Sequence, residues 1–163
     1  MSEAANQDAT AASQNTIFDM SAFLDKADQI ADHLKTIPAL SSVEILVDRQ
    51  KDMPSEFAKA MGKAKGGVVI IFFSGYTPND EEVAESVLIS SFSVTIWTKP
   101  ILRSSQPKAD DLVEAVHRAL HGWKHDFYCQ HNAIVRRGRI VPNDRFLIHE
   151  LELELKHELP IPE

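Results

Sequence analysis

Leucines alternate with charged residues near the end of the chain, and this pattern constrains the fold more than any other. Side chains two positions apart lie on the same face of a β-strand. One face of the segment from Phe146 to Leu155 is therefore apolar and the other charged, which predicts an antiparallel strand with one wet face. The alternating residues are Leu147, Leu151, Leu153 and Leu155 against Glu150, Glu152, Glu154 and Lys156.

The rest of the chain carries two further kinds of periodicity. Apolar residues at helical spacing predict amphipathic helices at 21–36, from Asp52 to just before Gly66, and at about 108–122. Apolar or alternating runs predict strands at Val43–Val47, Val68–Phe73, Val87–Lys99 and, as the first arm of a closing hairpin, from Ala133 to at least Val135. The segment Ser74–Asp80 is expected to be a loop.

These elements follow one another in the order α-β-α-β-β-α-β-β. Strands that are neighbours in sequence, with helices expected on one side of them, favour an α+β fold over a doubly wound parallel sheet. We predict a mostly antiparallel sheet of four to five strands with two to three helices packed on it. Residues 1–16 contain almost no large apolar side chain, which predicts a flexible tail ahead of a single domain at 17–163.

Composition narrows the possible functions. The 163 residues include 24 acidic and 17 basic side chains, a formal charge of −7, which is poorly suited to general nucleic-acid binding. The single cysteine, Cys129, excludes an intramolecular disulfide and fits a reducing compartment. The sequence has neither the apolar run of a membrane span nor the pattern of a signal peptide, so we expect a protein made in the cytoplasm.

The strongest chemical pattern is a set of metal-ligand residue types at intervals of four. His117, His121, His125 and Cys129 would lie on one face of a continuous helix, as zinc ligands can. Gly122 weakens that helix, and solvated or partner-facing side chains are the favoured alternative, so no metal site and no cofactor is predicted. Neither a nucleophile elbow nor a phosphate-binding loop is present, and we expect no enzymatic activity.

Two features suggest an interaction surface instead. Trp97 lies on the Ser/Thr face of its strand, where it would be either an interface residue or covered by a second layer. Arg136, Arg137 and Arg139 form a basic patch at the expected tip of the closing hairpin. The patch is either a solvated turn or a surface that docks on an acidic partner or contacts passing DNA.

Taken together, the segments resemble the tail terminator, or tail-completion, proteins of long-tailed phages and phage-derived particles. The resemblance spans about Ala27 to Leu159 and is clearest where SVTIW is followed by a helix containing LVEAVHRAL. It rests on an opening helix that leads through Pro38 to the short strand VEILVD. The segments VVIIFFSGY, SSFSVTIWTKP, ADDLVEAVHRALHGW and DRFLIHELELELKHEL then follow in this order.

The resemblance implies a structural virion protein without enzyme chemistry. Subunits of this family assemble as a ring, usually a hexamer, which caps the tail tube, ends its polymerisation and offers a surface to the head-neck connector or the sheath. The partners implied are other copies of the chain, the tube protein and the connector or sheath protein, with DNA at most passing through the lumen and no membrane. The location implied is the tail or neck of a particle made in the bacterial cytoplasm.

Two alternatives stay open at this point. The chain could be another tail or neck joining subunit with a similar sheet. It could also be a small metal-binding protein or enzyme built on the His/Cys set.

Overall fold

A computed structural model describes residues 21–49, 51–63, 66–78, 87–99, 108–125 and 132–158. Its helices are α1 (Ser21–Lys35), α2 (Met53–Lys63) and α3 (Ala109–Leu120), with a short 3-10 turn at Pro38–Leu40. Its strands are β1 (Val43–Val47), β2 (Gly67–Pro78), β3 (Val87–Thr98), β4 (Ile134–Val141) and β5 (Leu147–Glu158). The predicted tail at 1–16 lies outside the described residues.

The strands form one mixed sheet in the order β1-β2-β3-β5-β4. β1 and β2 are parallel and are connected through α2, whereas every other neighbouring pair is antiparallel. The predicted fold class, a mostly antiparallel α+β sheet with two to three helices, is confirmed. Within the described part of the chain, β1 and β4 are the two edge strands.

The main core lies between the sheet and the helices α1 and α3, on what we call the α1/α3 face. Alternation places Phe92, Val94 and Ile96 of β3 on this face, and all three side chains are fully buried. Leu151, Leu153 and Leu155 of β5 extend the same layer, as the leucine pattern predicts. From α1, Ile30 and Leu34 are fully buried against it, so the helix packs through its apolar stripe.

A second, smaller apolar cluster lies on the opposite side of the sheet, which we call the α2 face. Here Ala60 and Met61 of α2 cover Val68 and Ile70 of β2. The expectation that all helices pack on one side is therefore wrong. The continuous apolar run of β2 explains the difference, because a central strand that is apolar on both faces requires cover on both.

β2 is also longer than the sequence indicates. The predicted loop at Ser74–Asp80 is wrong as far as Pro78, because β2 continues pairing with β3 to that residue. The pairing shifts register between Phe73 and Gly75, which is a β-bulge, and Gly75 has a φ of 149°. Glycine at a bulge relieves the steric cost of such a φ, so Ser-Gly here marks a bend within a strand and not its end.

The helices are short. Among the described residues, none is long and apolar enough to cross a membrane.

Candidate assembly interface

The arginine patch lies along an edge strand and not at the tip of the hairpin. Arg136, Arg137 and Arg139 belong to β4, which runs from Ile134 to Val141. The reversal comes afterwards, where Asn143 Oδ1 accepts hydrogen bonds from the backbone N–H groups of Arg145 (2.9 Å) and Phe146 (3.0 Å). The predicted placement of the patch is therefore wrong, since the strand continues through the basic residues to Val141.

The arginines face the glutamates of β5 on the α2 face, in an arrangement we call the Arg–Glu ladder. Arg136 Nε donates to Glu154 Oε2 at 2.8 Å. Arg139 contacts Glu150 through two hydrogen bonds, both of 3.2 Å, in the bidentate geometry typical of guanidinium and carboxylate. Arg137 lies opposite Glu152 in the strand register and forms no ion pair within the described part of the chain. The charges of Arg136 and Arg139 are thus balanced locally, and Arg137 is the member left for an external acid.

Trp97 is covered by helix α2. Its ring lies 4.9 Å from that of Phe57 in α2 and 5.7 Å from that of Phe146, both edge to face. The indole Nε1 donates a hydrogen bond of 2.8 Å to Thr95 Oγ1. The second-layer alternative therefore describes its position, and Trp97 is a half-buried packing residue at the margin of the smaller cluster.

The exposed apolar side chains were not found from the sequence. Ile140 of β4 is 63% exposed, and Leu147 at the start of β5 is 42% exposed. Ile140 pairs with His149, which places it on the α1/α3 face of the sheet. The signal was available in the segment IVRRGRIV, whose apolar ends bracket the arginines and mark a full strand. An exposed isoleucine on an edge strand is a candidate contact with another chain.

The other edge of the sheet borders a cleft. This β1 cleft has a volume of about 340 Å³, lies between α1 and α2, and has the edge of β1 as its floor. Its charged side chains are Asp28, Asp32 and Lys35 from α1, Glu56 from α2, and Arg49. Acids outnumber bases there.

Nearby acids stabilise the charged form of Arg49. It donates a hydrogen bond to Asp28, and this bond raises the pKa of the guanidinium above its ordinary value. Coulombic attraction to Asp28, Glu56 and Asp25 acts in the same direction, while burial opposes it. Asp32 and Glu56 have no ion pair within the described residues, so negative charge remains available at the cleft.

The histidine series does not continue as one helix. α3 ends at Leu120, and His121 has an extended ψ of 119°, followed by Gly122 at a φ of 81°. His117 and His121 stack at 5.4 Å, but His121 Nδ1 accepts a hydrogen bond from the backbone N–H of Val135 at 3.1 Å. Cys129 lies outside the described residues, among which no group of three or more potential metal ligands occurs.

Two other histidines make packing and hydrogen-bond contacts within the subunit. His33 stacks on Trp123 at 4.4 Å and hydrogen-bonds the backbone oxygen of Ala119 at 2.8 Å, which ties α1 to α3. His157 is 3% exposed and lies 2.5 Å from the hydroxyl of the fully buried Ser90. Burial closes this Ser–His pair to a substrate, so its geometry supports packing and not nucleophilic catalysis.

A scan against protein-family models finds no match, and a search of the curated proteins finds no significant one.

Proposed function

We propose that the protein is a tail terminator, a structural subunit that forms a ring, usually of six copies, on the end of a phage-type tail tube. The observation that carries the proposal is that, within the described residues, the two edge strands of the sheet differ in character. β4 carries the arginines and the exposed Ile140, while β1 borders a cleft in which acids outnumber bases. Unlike edges on opposite sides of one subunit suit a head-to-tail contact, which closes into a ring under rotation.

The resemblance described above supports the same function. It implies an α+β subunit, and the segments that carry it form the core of the molecule. VVIIFFSGY lies in β2, SVTIW in β3, and the closing leucine strand in β5, so three of the resembling segments are adjacent strands of one sheet. The ring would end tube polymerisation and present its outer surface to the head-neck connector or the sheath.

The proposal is tested by locating the protein in particles. Particles are purified from cells that express the surrounding gene cluster, and the chain is labelled at its N-terminus for electron microscopy. We expect one ring at one end of each tube, with a mass of six times 18.2 kDa, or about 109 kDa. Label along the whole tube or on the capsid vertex would indicate another tail or neck subunit, and particles without the protein would overturn the proposal.

A further inference from the structure

The two edge strands of one subunit are complementary in direction. β1, β2 and β5 run one way, and β3 and β4 run the other. If a second copy is placed beside the first by rotation about an axis along the strands, its β1 lies antiparallel to β4 of the first copy. That arrangement allows the perpendicular hydrogen bonds of an antiparallel ladder, and it continues the sheet from one subunit to the next.

On each face of the sheet, the side chains of β4 and β1 are also complementary in charge or polarity. On the α2 face, β4 presents Arg137 and Arg139, and β1 presents Glu44, whose register partner Val68 belongs to the smaller cluster. On the α1/α3 face, β4 presents the exposed Ile140, and β1 presents the partly buried Val43 and Val47. Pairing of like faces would therefore bring arginine to glutamate on one side and isoleucine to valine on the other.

We infer that β4 of one copy adds to the edge of β1 in the next copy, with Arg137 meeting Glu44 and the β1 cleft. This inference rests on the proposed function, because it names the contact that closes the ring. The occupant is a second copy's β4 and not its N-terminal segment. Residues 1–20 contain acids and no Lys or Arg, so they do not complement an acidic cleft.

Charge also selects the head-to-tail contact over a symmetric dimer. Two β4 edges placed together would bring arginines against arginines, and two β1 edges would bring Glu44 and the acids of the cleft together. Like charges directly opposite in a strand pair are destabilising. The head-to-tail contact avoids both of these repulsions. Arg137 is the arginine available for it, because its positive charge has no ion pair within the described ranges.

Disulfide trapping tests the contact directly. In a Cys129→Ser background, Glu44→Cys is combined with Arg137→Cys, or with Arg139→Cys to cover a two-residue change of register. A disulfide forms when the Cβ atoms lie about 3.5–4.5 Å apart. On oxidation of purified particles, and of the concentrated free protein, we expect a ladder of covalent oligomers that stops at six. Each single-cysteine variant can give at most a dimer and serves as the matched control.

A charge swap provides an independent measurement. Glu44→Arg should lower incorporation into the ring at least ten-fold. The double variant Glu44→Arg, Arg137→Glu should recover most of that incorporation. Thermal melting of each variant shows whether the fold is retained. Neither substitution breaks an ion pair of the described residues, although Arg137→Glu places a second carboxylate opposite Glu152.

The outcomes separate this inference from the proposed function. Rings on tube ends without the double-cysteine ladder would overturn the strand pairing and leave the terminator function standing. A ladder from free protein that never enters particles would support the pairing and overturn the function. If the double-cysteine proteins stay monomeric in both preparations, or if single-cysteine dimers form instead, the pairing is wrong.

Discussion

Reversing the charge of the arginine patch should destabilise the subunit itself. Replacing Arg136, Arg137 and Arg139 with Glu breaks both ion pairs of the Arg–Glu ladder and places six carboxylates on one face of the hairpin. The arginine side chains of the two pairs are 54% and 53% exposed and their glutamate partners about a quarter exposed, so each pair contributes about 0.5–1 kcal/mol. The three like-charge cross-strand pairs add about 0.2–1 kcal/mol each.

The expected loss is therefore about 1.6–5 kcal/mol, or a fall in Tm of roughly 3–20 °C for a chain of this length. Thermal melting followed by circular dichroism at low salt measures it, and added salt should recover part of the loss because the repulsion is screened. The matched control reverses the exposed Lys51, Lys59 and Lys99, which gives the same net charge without breaking an ion pair of the described residues. Equal melting of the two triple variants would refute the ladder as a stabilising element.

Further predictions concern the core, the tail and metal. Trp97→Ala should cost about 2–3 kcal/mol by urea denaturation and Trp97→Phe clearly less, since the ring packs on Phe57 and Phe146; equal losses would contradict that packing. Gly67→Ala should cost about 1–3 kcal/mol, because the added Cβ would lie 2.7 Å from the backbone oxygen of Trp97; an unchanged urea midpoint would show that the strands can separate there. Deleting residues 1–16 should leave Tm within about two degrees, and a drop of several would show that the tail packs on the domain. Chelator should leave Tm unchanged in untagged protein, and stoichiometric zinc with unfolding by chelator would show a structural metal.

Periodicity predicted the elements well because most of them have one buried face. In β5, α1 and α3, one face contacts the core and the other faces water. The leucine alternation of β5 and the apolar stripes of α1 and α3 follow directly from this difference. The side on which α2 packs was not predictable in the same way. A fully apolar strand such as β2 indicates cover on both faces but does not say which helix supplies it. At the Gly75 bulge the sequence predicts a loop, because Ser-Gly in isolation is a turn signal.

The sequence predicts which arginines belong to the candidate interface but not where they lie in the fold. The sequence identifies the arginines but predicts them at the tip of a hairpin. At a solvated tip, reversal of their charge would leave the stability of the fold unchanged. Their partners on β5 lie 11 to 18 residues away, and that pairing depends on the register of the two strands. The β1 cleft combines residues from two helices and a strand, so only the three-dimensional arrangement brings Asp32 and Glu56 together.

The most direct test of the central claim is the length distribution of tails after deletion of the gene. Particles from the deletion strain and from the same strain complemented in trans are measured by negative-stain electron microscopy. A terminator ring ends tube growth, so the deletion should give tubes of uncontrolled length or tails without a finished end, and complementation should restore a single length. Tails of normal, uniform length with finished ends in the deletion strain would contradict the proposed function.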